Sequence, residues 1–187
     1  MIPHRAFCFL RHGETDWNLA RKMMGQTDIP LNATGRAQAE RARAVVESGG
    51  FKAIAASSLS RAWETAAIVN AELGLTMTPV DDLREVDVGP FVGQSDPDWM
   101  RRWHAGEPMA GVESYAGFTA RVARGLARAL TLDHPVLVVA HGGVFRAIES
   151  LLGHAGKTDV PNCCLARFDP PTGPEAGAGS PWRIQLA

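Results

Sequence analysis

The sequence predicts an α/β domain in which a largely parallel sheet is covered by helices on both faces. Two observations support this fold class. Short apolar segments of strand length alternate along the chain with longer segments that have helical periodicity. In addition, two of the apolar segments end in the same way, at a histidine followed by glycine, as expected where a buried strand runs into a functional loop.

The strand candidates begin near the N-terminus. Residues 6–10 are apolar, too few for a helix, and are followed at once by Arg11, His12 and Gly13. Val136–Ala140 repeats this design before a second histidine, His141. Further apolar segments predict strands over residues 53–57, 76–80 and 163–169.

Four segments have the period of a helix. Asn32 is a suitable N-cap for a helix over Ala33–Ser48, and a second helix is predicted to begin near Ser60 and end at Gly74. The fourth follows the second histidine motif and ends at Gly153. The third carries an apolar stripe at spacing four, formed by Phe118, Val122, Leu126 and Leu130.

Length and composition predict a single domain over residues 1–187, since 187 residues with 45% hydrophobic content can bury a substantial core. Residues 170–181 are rich in Pro, Gly and Ala and are interpreted as a mobile loop. The tail that follows, residues 182–187, alternates in hydrophobicity and can add one edge strand.

The charge balance excludes several classes of partner. Lys+Arg 19 against Asp+Glu 20 gives a formal net charge of -1, which offers no electrostatic basis for binding nucleic acid or a membrane surface. No signal-peptide pattern and no bilayer-spanning apolar run are present, so a cytoplasmic location is expected. Cys8, Cys163 and Cys164 fit neither a disulfide framework nor a zinc spacing, and are interpreted as buried thiols in strands.

The residues that carry chemistry follow predicted strands. In open α/β sheets, sites form at the carboxyl ends of strands, so the two histidine motifs share one crevice if their strands are neighbours. Arg11 and His12 belong to the first motif, and His141 belongs to the second. Arg61, near a helix start, and Glu85, in a loop, complete a set of two arginines, two histidines and one carboxylate.

This set of side chains suits a phosphate ester. Guanidinium groups bind phosphate oxygens through paired hydrogen bonds, and the Gly-rich helix start at Gly142 offers N–H groups to an anion. Neutral His12 can attack phosphorus, while Arg11, Arg61 and protonated His141 neutralise charge without Mg²⁺. Glu85, if its pKa is raised by its surroundings, can protonate the leaving oxygen and then activate water.

The segment Leu10-Arg11-His12-Gly13-Glu14-Thr15, followed by Trp17-Asn18, resembles the signature of the histidine phosphatase superfamily, also called the phosphoglycerate mutase-like family. Four later groups of residues fall in the order of that family. They are Asp28 with Pro30-Leu31, Gly35 and Gln38-Ala39; Ser57 with Leu59-Ser60-Arg61-Ala62 and Thr65-Ala66; Leu83-Arg84-Glu85 with Gly89 and Gly93; and Val138-Val139-Ala140-His141-Gly142-Gly143 with Arg146.

The resemblance covers about residues 7–169 and implies a three-layer α/β/α sandwich with a mostly parallel central sheet. It assigns His12 as nucleophile, Glu85 as proton donor, and Arg11, Arg61 and His141 to the phosphate pocket. Asn18 is implied as a further phosphate contact. Met24-Gly25 and Trp63-Glu64 depart from the family pattern, which affects substrate choice and leaves the core chemistry alone.

Residues 94–108 follow the proton-donor loop and can cover the pocket. Because this segment is shorter than the insertions of cofactor-dependent mutases, the chain resembles the small phosphatase branch. Trp99 and Trp103, at helical spacing, are interpreted as packing residues rather than as substrate contacts. The predicted function is therefore hydrolysis of a small phosphorylated metabolite through a phosphohistidine on His12, with no cofactor.

Three alternatives stay open. A mutase would use the same histidine in a closed, water-poor pocket. A catalytically silent phosphate-binding module would keep the fold without turnover. A metal site on His12, His141 and Glu85 uses acceptable ligand types, but two neighbouring arginines would repel a divalent cation. The sequence allows a monomer or a homodimer. It also leaves open whether the substrate is a sugar phosphate, a ribazole phosphate or a phosphoprotein, or whether the specificity is broad.

Overall fold

The computed structural model describes residues 2–95, 98–156, 158–172 and 180–187. Six strands in this part of the chain form one sheet in the order β3-β2-β4-β1-β5-β6. The four strands from β3 to β1 are parallel, whereas β5 and β6 are antiparallel to their neighbours. The strands are β1 (Phe7–Arg11), β2 (Ala53–Ala56), β3 (Met77–Pro79), β4 (Val136–Ala140), β5 (Leu165–Asp169) and β6 (Arg183–Leu186).

Helices cover both faces of the sheet. They are α1 (Asp16–Leu19), α2 (Ala33–Ser48), α3 (Ser60–Val69), α4 (Trp99–His104), α5 (Tyr115–Ala129) and α6 (Gly142–Leu151), with short 3₁₀ turns at Asp81–Leu83 and Gly89–Phe91. Buried residues of α2 and α3 pack on one face, and those of α5 and α6 pack on the other. The predicted α/β fold with a mostly parallel, helix-covered sheet is confirmed.

The burial of the strands explains why they form the centre of the sheet. Every residue of β4 is buried, as expected for a parallel strand with a helical layer on each face. In β1 the side chains alternate between the two layers: Phe7 and Phe9 join the α5/α6 core, and Leu10 joins the α2/α3 core.

The helix boundaries confirm most of the predicted ones. Asn32 caps α2 by accepting a hydrogen bond from the N–H of Gly35 at 2.8 Å. The second predicted helix was wrong at its end, because α3 stops at Val69 rather than at Gly74. Its C-cap, Asn70, exchanges two hydrogen bonds of 2.9 Å with the main chain of Leu75, and these replace a further helical turn.

Two other predictions concern the C-terminal part. The tail forms the predicted edge strand, β6, which pairs with β5. The predicted mobile loop lies largely outside the described residues, which omit 173–179. The interpretation of the cysteines as buried strand thiols was wrong: all three are half-buried, and Cys163 and Cys164 precede β5 because Cys163 adopts a turn with φ of 54°.

Candidate active site

His12 and His141 meet at the carboxyl edge of the sheet because β1 and β4 are neighbours. Arg11 of β1 pairs in register with Ala140 of β4, so the residue after each strand is a histidine at the same level. The centroids of the two imidazole rings are 5.1 Å apart. Both histidines are buried, and residues of both motifs, among them His12 and Gly142, line the same cavity.

A hydrogen bond fixes the tautomer of His12. Its Nδ1 lies 2.7 Å from the carbonyl oxygen of Gly13, which can only accept, so Nδ1 carries the proton. The other ring nitrogen, Nε2, then holds the lone pair. Burial, together with the charges of Arg61 and Arg11, lowers the pKa of His12 well below its usual value. The imidazole is therefore neutral near pH 7, as a nucleophile requires.

His141 lies behind His12 and is fully buried, and it is not among the residues that line the cavity. Its Nε2 lies 2.8 Å from the hydroxyl oxygen of Ser57. Burial and the neighbouring charge of Arg61 lower the pKa of His141 well below its usual value. This shift favours the neutral imidazole in the absence of a bound anion, whereas the sequence-based hypothesis uses a protonated His141 to neutralise the charge of bound phosphate.

Main-chain carbonyls hold the two predicted arginines in place. Arg11 donates from Nη1 to the carbonyl of Val160 at 2.6 Å. The guanidinium of Arg61 is fully buried and donates to the carbonyls of Gly25 at 2.8 Å and Thr27 at 3.0 Å. Burial lowers the pKa of Arg61 to about 10, so this side chain is still charged at neutral pH.

Asn18 lines the cavity beside the arginines. Its Oδ1 accepts a 3.1 Å hydrogen bond from the N–H of Thr15, in the capping box that begins α1. Because the oxygen is engaged in this way, the amide nitrogen is the atom that can donate to a phosphate group. The sequence-predicted contact is compatible with this placement.

Glu85 lies in the loop after the 3₁₀ turn Asp81–Leu83, and its side chain contacts the first turn of α6. Its Oε2 accepts from the N–H of Gly143 at 3.0 Å, and its Oε1 accepts from the N–H of Val86 at 2.9 Å. A side chain at position 143 would place a Cβ 2.2 Å from Oε1, so this approach requires glycine. The N–H of Gly143 therefore serves Glu85, while Gly142 lines the cavity.

The cavity has a volume of about 400 Å³. One part, the inner pocket, is formed by Arg11, His12, Arg61 and the adjoining His141. A second part, the apolar wall, is formed by Met23, Met24, Val86, Val88, Trp99 and Met100, and the lining also includes Lys22, His104, Arg146, Thr158 and Asp159. The predicted cover is confirmed in part, because α4 supplies Trp99, Met100, Trp103 and His104 to the lining.

The two tryptophans of α4 pack against each other and also line the cavity. Their rings are stacked with centroids 5.2 Å apart, and both side chains are buried, as the packing interpretation predicts. Trp103 donates from Nε1 to the carbonyl of Glu113 at 2.7 Å. Among the described residues, the buried Nε1 of Trp99 has no hydrogen-bond partner.

Sequence reasoning missed several residues that organise the site. The hydroxyl oxygen of Thr65 accepts a hydrogen bond from the N–H of Gly13 at 3.0 Å, which connects α3 to the residues that follow β1. Asn162 donates to the carbonyl of His12 at 2.8 Å from the other side. Thr65 appeared only as part of a matching segment, and Asn162 carried no signal because its partner is 150 residues away.

Within the described residues, no group of three or more His, Cys, Asp or Glu side chains is arranged to hold a metal ion. Within the same residues, no helix has the length and apolar character needed to cross a membrane.

Comparisons with known proteins agree with the site. The family model described as histidine phosphatase superfamily (branch 1) matches residues 7–173. The chain is 35% identical to "Uncharacterized phosphatase PhoE" of Bacillus subtilis (strain 168), over 96% of this chain and 92% of that protein. It is 30% identical to "Probable phosphoglycerate mutase GpmB" of Proteus mirabilis (strain HI4320), over 95% of this chain and 90% of the relative.

Solved structures give the same result. A mycobacterial glucosyl-3-phosphoglycerate phosphatase in complex with VO3 superposes with a TM-score of 0.80 at 27% identity, covering 97% of each chain. The alpha-ribazole phosphatase from Shigella flexneri has a TM-score of 0.77 at 26% identity, covering 88% of this chain and 90% of that one. Both similar structures are phosphatases by name.

Proposed function

We propose that this chain, which belongs to the histidine phosphatase superfamily (branch 1), hydrolyses small phosphomonoesters through a phosphohistidine intermediate on His12, without a metal ion. One observation carries the proposal. A buried, neutral His12 with its lone pair on Nε2 shares a cavity with two fixed guanidinium groups and a carboxylate. This combination supplies a nucleophile, charge neutralisation and a proton donor for one phosphate ester.

The first step transfers the phosphoryl group to the enzyme. Nε2 of His12 forms a bond to phosphorus as the bond from phosphorus to the leaving oxygen breaks, and Glu85 in its acid form gives that oxygen a proton. Arg11 and Arg61 face the non-bridging oxygens, whose negative charge they balance. A bound dianion also favours a protonated His141, whose buried Nδ1 has no partner in the described residues.

The second step releases the phosphate. The Glu85 carboxylate takes a proton from water as the water oxygen attacks phosphorus, and the bond between phosphorus and Nε2 of His12 breaks. Inorganic phosphate and free imidazole result, and Glu85 is again in its acid form. Both steps use the same carboxylate. The hydrogen bond from the N–H of Gly143 holds this group at the edge of the cavity.

The apolar wall supports a leaving group that has an apolar or aromatic part. Six apolar or aromatic side chains form this wall, and an aryl group would bury its surface against them. Lys22, Arg146 and Asp159, which line the same cavity, offer polar partners to any hydroxyl groups of the leaving group. The substrates in the names of the similar structures, an α-ribazole phosphate and glucosyl-3-phosphoglycerate, are direct candidates for assay.

A mutase is the second candidate, because relatives named as phosphoglycerate mutase align over 95% of the chain. It would keep the phosphoryl group on His12 until a second hydroxyl accepted it. Product analysis separates the two: a phosphatase releases inorganic phosphate in proportion to substrate consumed, and a mutase returns an isomeric ester.

The experiment that tests the proposal is hydrolysis of 4-nitrophenyl phosphate in excess EDTA. Wild type, His12→Ala and the exposed-site control His4→Ala are assayed in parallel. We expect wild type and control to retain full activity in the chelator and His12→Ala to lose it. Loss of wild-type activity on chelation would contradict the metal-free mechanism, and activity in His12→Ala would exclude this nucleophile.

A further inference from the structure

Arg121, on α5, contacts the main chain of the segment that leads to Glu85. Its Nη1 donates to the carbonyl of Asp82 at 3.0 Å and to that of Arg84 at 2.9 Å. Its Nη2 reaches the carbonyl of Glu85 itself at 3.3 Å. One guanidinium group thus holds three carbonyl oxygens within four residues, and the segment has no helix or strand of its own at Glu85.

Glu113 extends this contact to the other side of Glu85. It pairs with Arg121 through both carboxylate oxygens, at 2.9 Å and 2.7 Å. Its Oε2 also accepts from the N–H of Asp87 at 3.1 Å, while its own N–H donates to the carbonyl of Asp87 at 2.9 Å. The pair therefore binds the main chain both before and after Glu85.

The same pair is connected to the cover of the cavity. The carbonyl of Glu113 accepts from Nε1 of Trp103, which lies on α4. The side chains of Arg121 and Glu113 are only 15% and 20% exposed. A half-buried bidentate pair of this kind holds its geometry better than a surface ion pair, in which two long side chains fluctuate in solvent.

We propose that Arg121, together with Glu113, is a positioning residue that sets the reach of the Glu85 carboxyl group into the cavity. The inference rests on the proposed function, in which Glu85 moves protons. Neither side chain of the pair lines the cavity, so the pair acts on substrate indirectly, through the segment of Glu85 that it binds. Without the three carbonyl contacts, the loop can shift by an ångström, and a misplacement of that size costs roughly 10²-fold in rate.

The test uses the dependence of the rate on the leaving group. 4-Nitrophenolate departs readily without a proton, whereas an alkoxide needs one, so a displaced Glu85 harms alkyl esters most. For Arg121→Gln we expect kcat/KM to fall about 30-fold on an alkyl phosphate and less than about threefold on 4-nitrophenyl phosphate. The ratio kcat/KM is chosen because it reports only the steps up to phosphorylation of His12.

A double-mutant cycle gives the second readout. Glu85→Gln removes the group that Arg121 is proposed to position, so Arg121→Gln is expected to cost less than about twofold in the Glu85→Gln background. Arg124→Gln is the matched control: Arg124 lies about one helical turn further on, is 64% exposed, and in the described part of the chain forms an ion pair with the side chain of Asp82. We expect wild-type rates from it on both esters.

The outcomes separate this inference from the proposed function. Equal losses on both esters, or a full multiplicative loss in the Glu85→Gln background, would overturn the positioning role alone. A Glu85→Gln variant without leaving-group dependence would overturn the role of Glu85 and this inference with it. If Arg121→Gln does not fold, Glu113→Gln carries the same test, because it keeps its main-chain contacts and loses the charge that holds Arg121.

Discussion

The inner pocket and the apolar wall line the same cavity but are built in different ways. Residues of the inner pocket stand at strand ends or on a helix, and hydrogen bonds to the main chain or to buried side chains fix them. The apolar wall comes from loops, a 3₁₀ turn region and the six-residue α4, and it holds its place by packing. The proposed reaction therefore uses side chains that hydrogen bonds hold in place, and substrate choice is expected to depend on the residues of the apolar wall.

Removal of a charge from the inner pocket is expected to have the largest effect. Arg61→Gln leaves the carbonyls of Gly25 and Thr27 without their buried donors and removes a positive charge beside His12. We expect kcat/KM for an aryl phosphate to fall about 10³-fold. Arg36→Gln, which breaks only an exposed pair with Glu64, serves as the control and is expected to retain activity. A loss below tenfold in Arg61→Gln would remove this arginine from the chemical step.

The next largest effect is expected from a methyl group added at Gly143, between the inner pocket and the apolar wall. The Cβ of Gly143→Ala would lie 2.2 Å from Oε1 of Glu85 and must displace the carboxyl group. We expect kcat to fall about 10²-fold, with thermal unfolding measured alongside to show that the fold survives. Gly142→Ala is expected to lose less, because its methyl group meets Arg11 only at 3.6 Å. Equal losses in the two variants would contradict the proposed anchoring of Glu85.

The burial of the inner histidines also predicts a dependence of stability on pH. Burial lowers the pKa of His12 and His141 in the folded protein, so below about pH 6.5 the unfolded chain binds protons that the folded chain does not. Each histidine then lowers the free energy of unfolding as the pH falls, with a slope that approaches about 1.4 kcal/mol per pH unit once the unfolded histidine is fully protonated.

Chemical denaturation between about pH 5 and 7 measures this slope. His12→Asn is expected to reduce it by about 1.4 kcal/mol per pH unit, while His4→Asn, at an exposed position, leaves it unchanged. The same slope in His12→Asn and wild type would mean that His12 gains its proton in the folded protein, which conflicts with a neutral nucleophile.

The smallest effect is expected in the apolar wall. Met100→Ala removes a 40% exposed side chain that closes one side of the cavity, so we expect KM for phenyl phosphate to rise about threefold with kcat unchanged. An ester of a small polyol is expected to show no change in KM. Leu19→Ala, a more exposed apolar residue outside the cavity, is the control. A fall in kcat without a change in KM would place Met100 in the chemistry instead.

The sequence predicted what depends on local pattern. The strand ends at His12 and His141 were visible because a short apolar segment followed by polar residues marks them directly, and the neighbouring strand order brings them together. Asn32 was recognisable as a cap because the N–H it binds lies three residues away. The same locality explains the success with the stripe of α5 and the edge strand β6.

Features that depend on contacts between residues far apart in the sequence were not predicted. The end of α3 is set by Asn70 bonding to Leu75, a choice that competes with helix continuation and leaves no periodic signal. The hydrogen bonds from Arg121 to the segment of Glu85 join residues more than 30 positions apart in the sequence. From the sequence alone, an arginine on a helix usually indicates a solvated face. The lowered pKa of His141 was not predicted, because it depends on burial and neighbouring charge, which residue type alone does not reveal.

The carbonyl groups that hold Arg11 and Arg61 have one further consequence. A carbonyl orients a guanidinium without cancelling its charge, and neither arginine forms an ion pair within the described ranges. The two guanidinium groups therefore attract oxyanions in general. Inorganic phosphate, the product of the proposed reaction, is expected to compete with substrate for the same two cations. Under the proposed function, inorganic phosphate is therefore expected to act as a competitive product inhibitor.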